Sequence, residues 1–151
     1  MPKKAKNANM LRPSCRTCGA EVRVLYADTD HGGVAYYATY LRWFEVGRTE
    51  LFRSIGLTYA DIEKTGILCP VVEVHCEYLE PAKYDDLLDI VTWIEKLGRS
   101  SITFGYQIER QSDHALLALG KTRNAFVNRS LKCTRPPSNV HHALSAFIKA
   151  P

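Results

Sequence analysis

The chain has 151 residues and a mass of 17.1 kDa, enough for one domain that buries ~70% of its unfolded surface and needs no disulfide staples. With 46% hydrophobic and 24% charged residues it is globular in composition, which excludes a disordered or fibrous chain. The net charge of +4 sits in a tail: Lys3, Lys4, Lys6, Arg12 and Arg16 supply +5 within residues 1–20, so the rest sums to −1 and no nucleic-acid partner is expected.

The longest aliphatic run, Ala115 to Leu119, is far too short for a membrane-spanning helix. Five cysteines, an odd number, and the lack of an apolar leader predict a reducing, cytoplasmic setting.

Residues 1–20 are polar, basic and unpatterned, and read as a flexible arm ahead of a single domain over 21–151. From Glu21, Val22, Val24 and Tyr26 alternate with Arg23 and Leu25, which predicts a short strand. Turn formers follow, Ala27-Asp28-Thr29-Asp30-His31-Gly32-Gly33. Tyr37, Tyr40, Leu41, Phe44, Gly47, Leu51 and Ile55 then recur at helical steps, with Gly56 placed to end a long helix. The interior Gly47 suggests a close approach to a neighbouring backbone. Thr58 is suited to cap a second, short helix.

Four β-rich segments come next, at about 70–79, 87–96, 100–110 and 115–127, with tight connections at 97–99 and 111–114 and a longer one at 80–86. Ser138-Asn139 opens a last helix through Val140, Leu144 and Phe147. One long amphipathic helix facing an antiparallel sheet is a two-layer α+β domain.

The stretch from Tyr26 to Glu50, including Asp28, Asp30, Gly33, Tyr37, Trp43, Glu45 and Arg48, resembles the signature of the hotdog-fold acyl-CoA thioesterases. Within them it is similar to the 4-hydroxybenzoyl-CoA thioesterase group and its Tol–Pal-linked bacterial branch. Two further blocks agree, Glu80 to Asp86 and Gly98 to Phe104, so the resemblance covers about residues 21–135. It implies an antiparallel sheet wrapped around one long helix, hydrolysis of an acyl-CoA to free acid and coenzyme A without a metal or separate cofactor, and a homodimer or homotetramer. Tyr37 and Thr39 stand where Tol–Pal-linked relatives often carry His and Asn, so no helix histidine is available to shuttle protons.

Thioester hydrolysis needs a carboxylate or base, a donor for the carbonyl oxygen as it gains charge, and a grip on the coenzyme. The resemblance assigns the first role to Asp30, as nucleophile or general base. It assigns the second to the main-chain amide at Tyr37, in the first turn of the helix, and coenzyme binding to Arg99.

Each residue also has a plainer reading. Asp30 can cap the helix or brace its turn, and Arg99 can be solvated surface. Asp28 is read as structural, His31 as a loop histidine, and Glu45 as a surface partner of Arg42 or Arg48 or a fallback nucleophile. A non-catalytic acyl-thioester-binding protein is the alternative outside enzymology. An acyl-CoA dehydratase is the rival within the fold and would want a His with the acid on its helix.

Other motifs fail. Leu119-Gly120-Lys121-Thr122 imitates the end of a phosphate loop, but Ala115 occupies the position that needs a first glycine. Cys15 and Cys18 form half of a zinc site without a second half at ribbon spacing.

Overall fold

A computed structural model describes residues 13–149. Five strands, β1 (Cys18–Arg23), β2 (Val71–Tyr78), β3 (Leu87–Leu97), β4 (Ser101–Arg110) and β5 (Leu116–Ala125), form one sheet in the order β1-β3-β4-β5-β2. Every neighbouring pair is antiparallel. Three helices accompany it: α1 (Thr39–Ser54), α2 (Tyr59–Lys64) and α3 (Ser138–Lys149).

The long helix ends as its sequence predicts. Gly56 adopts φ +78°, a conformation that a side chain disfavours, and closes the last turn of α1 by donating to the Arg53 carbonyl. Thr58 then caps α2, its hydroxyl accepting from the Asp61 amide at 3.1 Å. The apolar stripe of α1 presses onto the concave face of the sheet through Tyr40, Trp43, Phe44, Leu51 and Phe52, all buried.

Two glycines permit this contact. A Cβ on Gly47 would overlap the Thr92 hydroxyl of β3, so the close approach is to side chains rather than backbone. A Cβ on Gly120 of β5 would run into the Phe44 ring, which stacks on Tyr106 with centroids 4.4 Å apart.

Several boundaries differ from expectation. β1 opens at Cys18, within the stretch read as an arm, and pairs Cys18 with Thr92 and Arg23 with Leu87. Arg16 lies over the Phe147 ring of α3, 4.5 Å from its centroid, so residues 13–20 are packed in part. Residues 1–12 of the expected arm lie outside the described residues.

Val24 and Tyr26 fall beyond β1. Tyr26–Asp28 is a 3-10 turn, because the chain must bend away from the sheet to reach α1, and Tyr26 is exposed. α1 begins at Thr39, so Tyr37 belongs to the turn before the helix and not to its first helical turn. Ser138 is the first residue of α3, and the Pro137 carbonyl takes the His141 amide there.

Candidate active site

Asp28 and Asp30 are two residues apart, and the fold treats them in opposite ways. Asp28 is buried in the 3-10 turn. Its carboxylate accepts the Leu25 amide at 2.8 Å and pairs with Arg42 of α1, while its carbonyl accepts the Tyr36 amide at 2.7 Å. With both ends occupied, it acts as a structural brace that fixes the approach to α1.

Asp30 heads a tight loop. Its amide donates to the Val34 carbonyl at 2.9 Å, and its carbonyl accepts from Gly33, whose φ of +75° allows the chain to turn back. One carboxylate oxygen, Oδ1, accepts the Gly32 amide at 2.8 Å. The other oxygen accepts from no donor among the described residues, and the residue is exposed. Half of the carboxylate braces the bend; the other half is available.

The loop closes where Thr29 and Ala35 pair and the Ala35 amide donates to the Ala82 carbonyl at 2.8 Å. Tyr37 follows in the turn that leads into α1. Its carbonyl accepts the Tyr78 hydroxyl at 2.7 Å, which pins this turn to the end of β2. Its N–H donates to no acceptor among the described residues, and its ring is 63% exposed. An amide left free in the turn before a helix can receive an oxygen that is gaining charge.

Beside this turn lies a groove of about 260 Å³ walled by Val34, Ala35, Tyr37, Tyr40, Tyr78 and Glu80. Burial raises the Tyr40 and Tyr78 phenols above their ordinary range, so both rings present neutral hydroxyls. Tyr40 uses its hydroxyl oxygen to accept the Ala82 amide at 3.1 Å. Asp30 is not in the groove wall, but its loop supplies Val34 and Ala35 to it.

Arg99 is elsewhere. The Asp30 loop bonds Ala82, just ahead of the start of β3, whereas Arg99 lies in the β3–β4 hairpin past the other end of that strand. The 11 residues of β3 separate them by ~30 Å. One chain therefore does not bring Asp30 and Tyr37 together with Arg99. Arg99 instead lines a cleft of about 780 Å³ with residues of α3 and the segment before it.

The remaining candidates also find their places. His31 is exposed. Glu45 is exposed but pairs with neither expected arginine, because Arg42 is held by Asp28 and Arg48 turns inward toward Tyr59 and Tyr106. Among the described residues no cluster of three His, Cys, Asp or Glu side chains could hold a metal ion, and Cys15 and Cys18 are free thiols. The sequence reading missed Tyr78 and Arg42, whose partners lie 41 and 14 residues away, and no local pattern announces either contact.

Comparison with known proteins bears on the family and the fold. The profile of the thioesterase superfamily matches residues 32–117, more than half of the chain; it begins two residues after Asp30 and includes Tyr37 and Arg99. YneP of Bacillus subtilis is 43% identical over 88 residues, 58% of this chain and 64% of that one. The acyl-CoA thioester hydrolase YbgC of Escherichia coli O6:H1 is 37% identical over 87 residues, 58% of this chain and 65% of that one. The chain thus spans just under two thirds of the length of these relatives.

Among solved structures, the DHNA-CoA thioesterase of Staphylococcus aureus superposes with a TM-score of 0.83 at 30% identity, covering 86% of this chain and 89% of that one. The antiparallel sheet wrapped on α1 is the hotdog fold, and no helix among the described residues is long and apolar enough to cross a membrane. A matched stretch that runs from the loop glycines through α1 and into β5, on the same architecture, places this chain in the thioesterase superfamily.

Proposed function

We propose that the protein hydrolyses an acyl-CoA thioester to a free carboxylic acid and coenzyme A. One observation carries the reading: a carboxylate half free and an amide without an acceptor among the described residues, those of Asp30 and Tyr37, stand in one stretch beside an aromatic-walled groove. Asp30 either takes a proton from the water that attacks the thioester carbonyl, or attacks that carbonyl itself and forms a mixed anhydride that water then hydrolyses to the free acid and the regenerated carboxylate. The Tyr37 N–H stabilises the oxygen as it becomes negative, the C–S bond breaks, and the coenzyme leaves as a thiolate that gains a proton. No metal or separate cofactor is assigned a part, since the carboxylate supplies the activation. Within the superfamily we place the chain with the 4-hydroxybenzoyl-CoA thioesterase-like group and its Tol–Pal-linked branch, acting in the cytoplasm.

The separation of Asp30 from Arg99 favours a homodimer or homotetramer in which one protomer's Arg99 serves another's Asp30. β2 is an edge strand with Val72 and Val74 exposed, a row of free backbone groups suited to pairing about a two-fold axis. A second reading, a non-catalytic acyl-thioester-binding protein, draws on the bond by which Asp30 Oδ1 braces its own turn.

Release of free coenzyme A from a panel of acyl-CoAs, for the native protein and Asp30→Ala, separates the two. Turnover that vanishes in a folded variant supports the enzyme. Absence of turnover across all acyl classes, with binding intact, establishes the binding protein instead.

A further inference from the structure

The groove beside the Tyr37 turn lies between two strips of chain that are tied together twice. At one tie the Tyr78 hydroxyl donates to the Tyr37 carbonyl at 2.7 Å; at the other the Ala35 amide donates to the Ala82 carbonyl at 2.8 Å. Glu80 falls midway between the ties on its strip, two residues and at most ~7 Å of chain from each. Among the described residues that line the groove it alone is charged; the rest of the wall is aromatic or aliphatic.

That carboxylate is only partly neutralised. Its partner is Arg110, the last residue of β4, with Nη2 3.4 Å from Glu80 Oε2. The same guanidinium also meets Asp86 at 3.4 Å and Asp113 at 3.1 Å, and donates to the Pro81 carbonyl at 3.3 Å. One cation shared among three carboxylates leaves an excess of two negative charges. Lys83, the other cation of this crossover, is exposed and pairs with none of the three among the described residues. At the brace on the other side of the loop the count is even, one Asp28 to one Arg42. The Arg110 side chain is 14% exposed and that of Asp86 20%, so water and salt screen this cluster less than they screen a surface pair.

We propose that Glu80 makes this groove a charge filter, which admits acyl groups with an uncharged or cationic far end and turns away those that end in a carboxylate. Taking the acyl group as the occupant rests on the thioesterase reading; the sign of the filter does not. An acyl group that enters from the Tyr37 amide passes Glu80. If it ends in a carboxylate, it meets a like charge in a groove whose wall holds no cation to receive it. An ammonium instead meets an acid, together with the rings of Tyr37, Tyr40 and Tyr78, whose faces attract cations. Arg110 is a positioning residue that sets the strength of the filter. It holds Glu80 and the Pro81 carbonyl in the wall, yet divides its single charge with Asp86 and Asp113.

The test is calorimetric titration of the full chain with two non-hydrolysable thioethers, S-(ω-aminopentyl)-coenzyme A and S-(ω-carboxybutyl)-coenzyme A. Each carries one charge at its chain end, so the cost of desolvating it largely cancels between them and the sign remains. The native protein should bind the ammonium form about tenfold more tightly. Raising salt from about 0.02 M to about 0.5 M should shrink that preference below about threefold. Glu80→Gln, whose amide oxygen can still accept from Arg110, should bring it below about threefold at low salt as well. Arg110→Gln should move it the other way, to about thirtyfold, since the same acids then stand without their cation. A merely loosened wall would weaken both ligands alike. Glu95→Gln, which removes a carboxylate of β3 outside the groove, should leave the ratio at its native value.

A native ratio near one or in favour of the carboxylate form overturns the proposal, as does failure of the ammonium form to bind. So does a tenfold preference that survives Glu80→Gln, or one that falls with Arg110→Gln in a folded protein. Circular dichroism checks the fold of each variant, and the salt and Glu80→Gln arms stand even where Arg110→Gln unfolds. The ammonium preference without turnover of any acyl-CoA would defeat the thioesterase reading alone. Asp30-dependent turnover without that preference would defeat the filter alone.

Discussion

The seam between α1 and the sheet and the loop from Asp30 to Tyr37 adjoin in the chain and are opposite in character. In the seam there is no room for a Cβ at two points: Thr92 and the Phe44 ring fill the space that a side chain at Gly47 and Gly120 would need. In the loop there is spare chemistry: one oxygen of Asp30 and the amide of Tyr37 lack partners among the described residues. The rigid seam holds the loop in place, through Asp28 and Tyr78, without using up the groups that could react. Stability and activity should therefore be separable by substitution.

Asp30→Asn is the sharpest trial of that separation. Its amide oxygen can still accept the Gly32 amide, so the turn survives, while the activating carboxylate is gone. Turnover should fall by about 10³-fold with an unchanged melting temperature. A variant that melts early would mean the loop is scaffold as well.

Gly120→Ala is the reciprocal case. The new methyl must displace a buried, stacked ring, and urea denaturation should show a loss of about 3 kcal/mol. Asp28→Ala, which strands the Leu25 amide and Arg42, should cost about 2 kcal/mol by the same measurement.

The seam also has a pH signature at Cys69. Burial pushes its thiol up to about 12, against the pull of Arg48. An unfolded thiol ionises near ~8.5, so the native state holds the proton more tightly. Its contribution to stability is complete below ~8.5 and is lost as pH rises toward the folded value, at up to about 1.4 kcal/mol per pH unit. Cys69→Ala should flatten that alkaline decline, and alkylation at about pH 8.5 followed by mass spectrometry should mark the exposed Cys133 well before Cys69. The smallest effect belongs to the α2 cap: Thr58→Ala should cost about 1 kcal/mol in thermal unfolding.

Features that depend on near neighbours were legible. Gly56 and Thr58 mark the end of α1 and the start of α2 because a left-handed residue and a capping hydroxyl act within one turn. The four later strands announced themselves by β-branched and aromatic content, and their tight connections by length. The start of the helix was not legible. The aromatic period runs back through Tyr37, yet that ring faces solvent and the chain there is a turn. Arg48 carries a charge at a helical surface spacing, and only the bulk of Tyr59 and Tyr106 across the interface shows that it points inward.

Sequence by itself determined the order of elements, the layer architecture and the short stretch in which Asp30 and Tyr37 fall, because propensity, capping and turn chemistry are local. Tertiary structure decided which of those groups stay free and which are consumed. Arg42 reaches Asp28 from 14 residues away, Tyr78 secures the Tyr37 carbonyl from 41, and Phe126 ties the β3–β4 hairpin at Ser100 to Thr134 in the segment before α3. A hydrogen-bonding group is reactive or inert according to the partner that the folded chain brings to it. Those partners come from distant parts of the sequence.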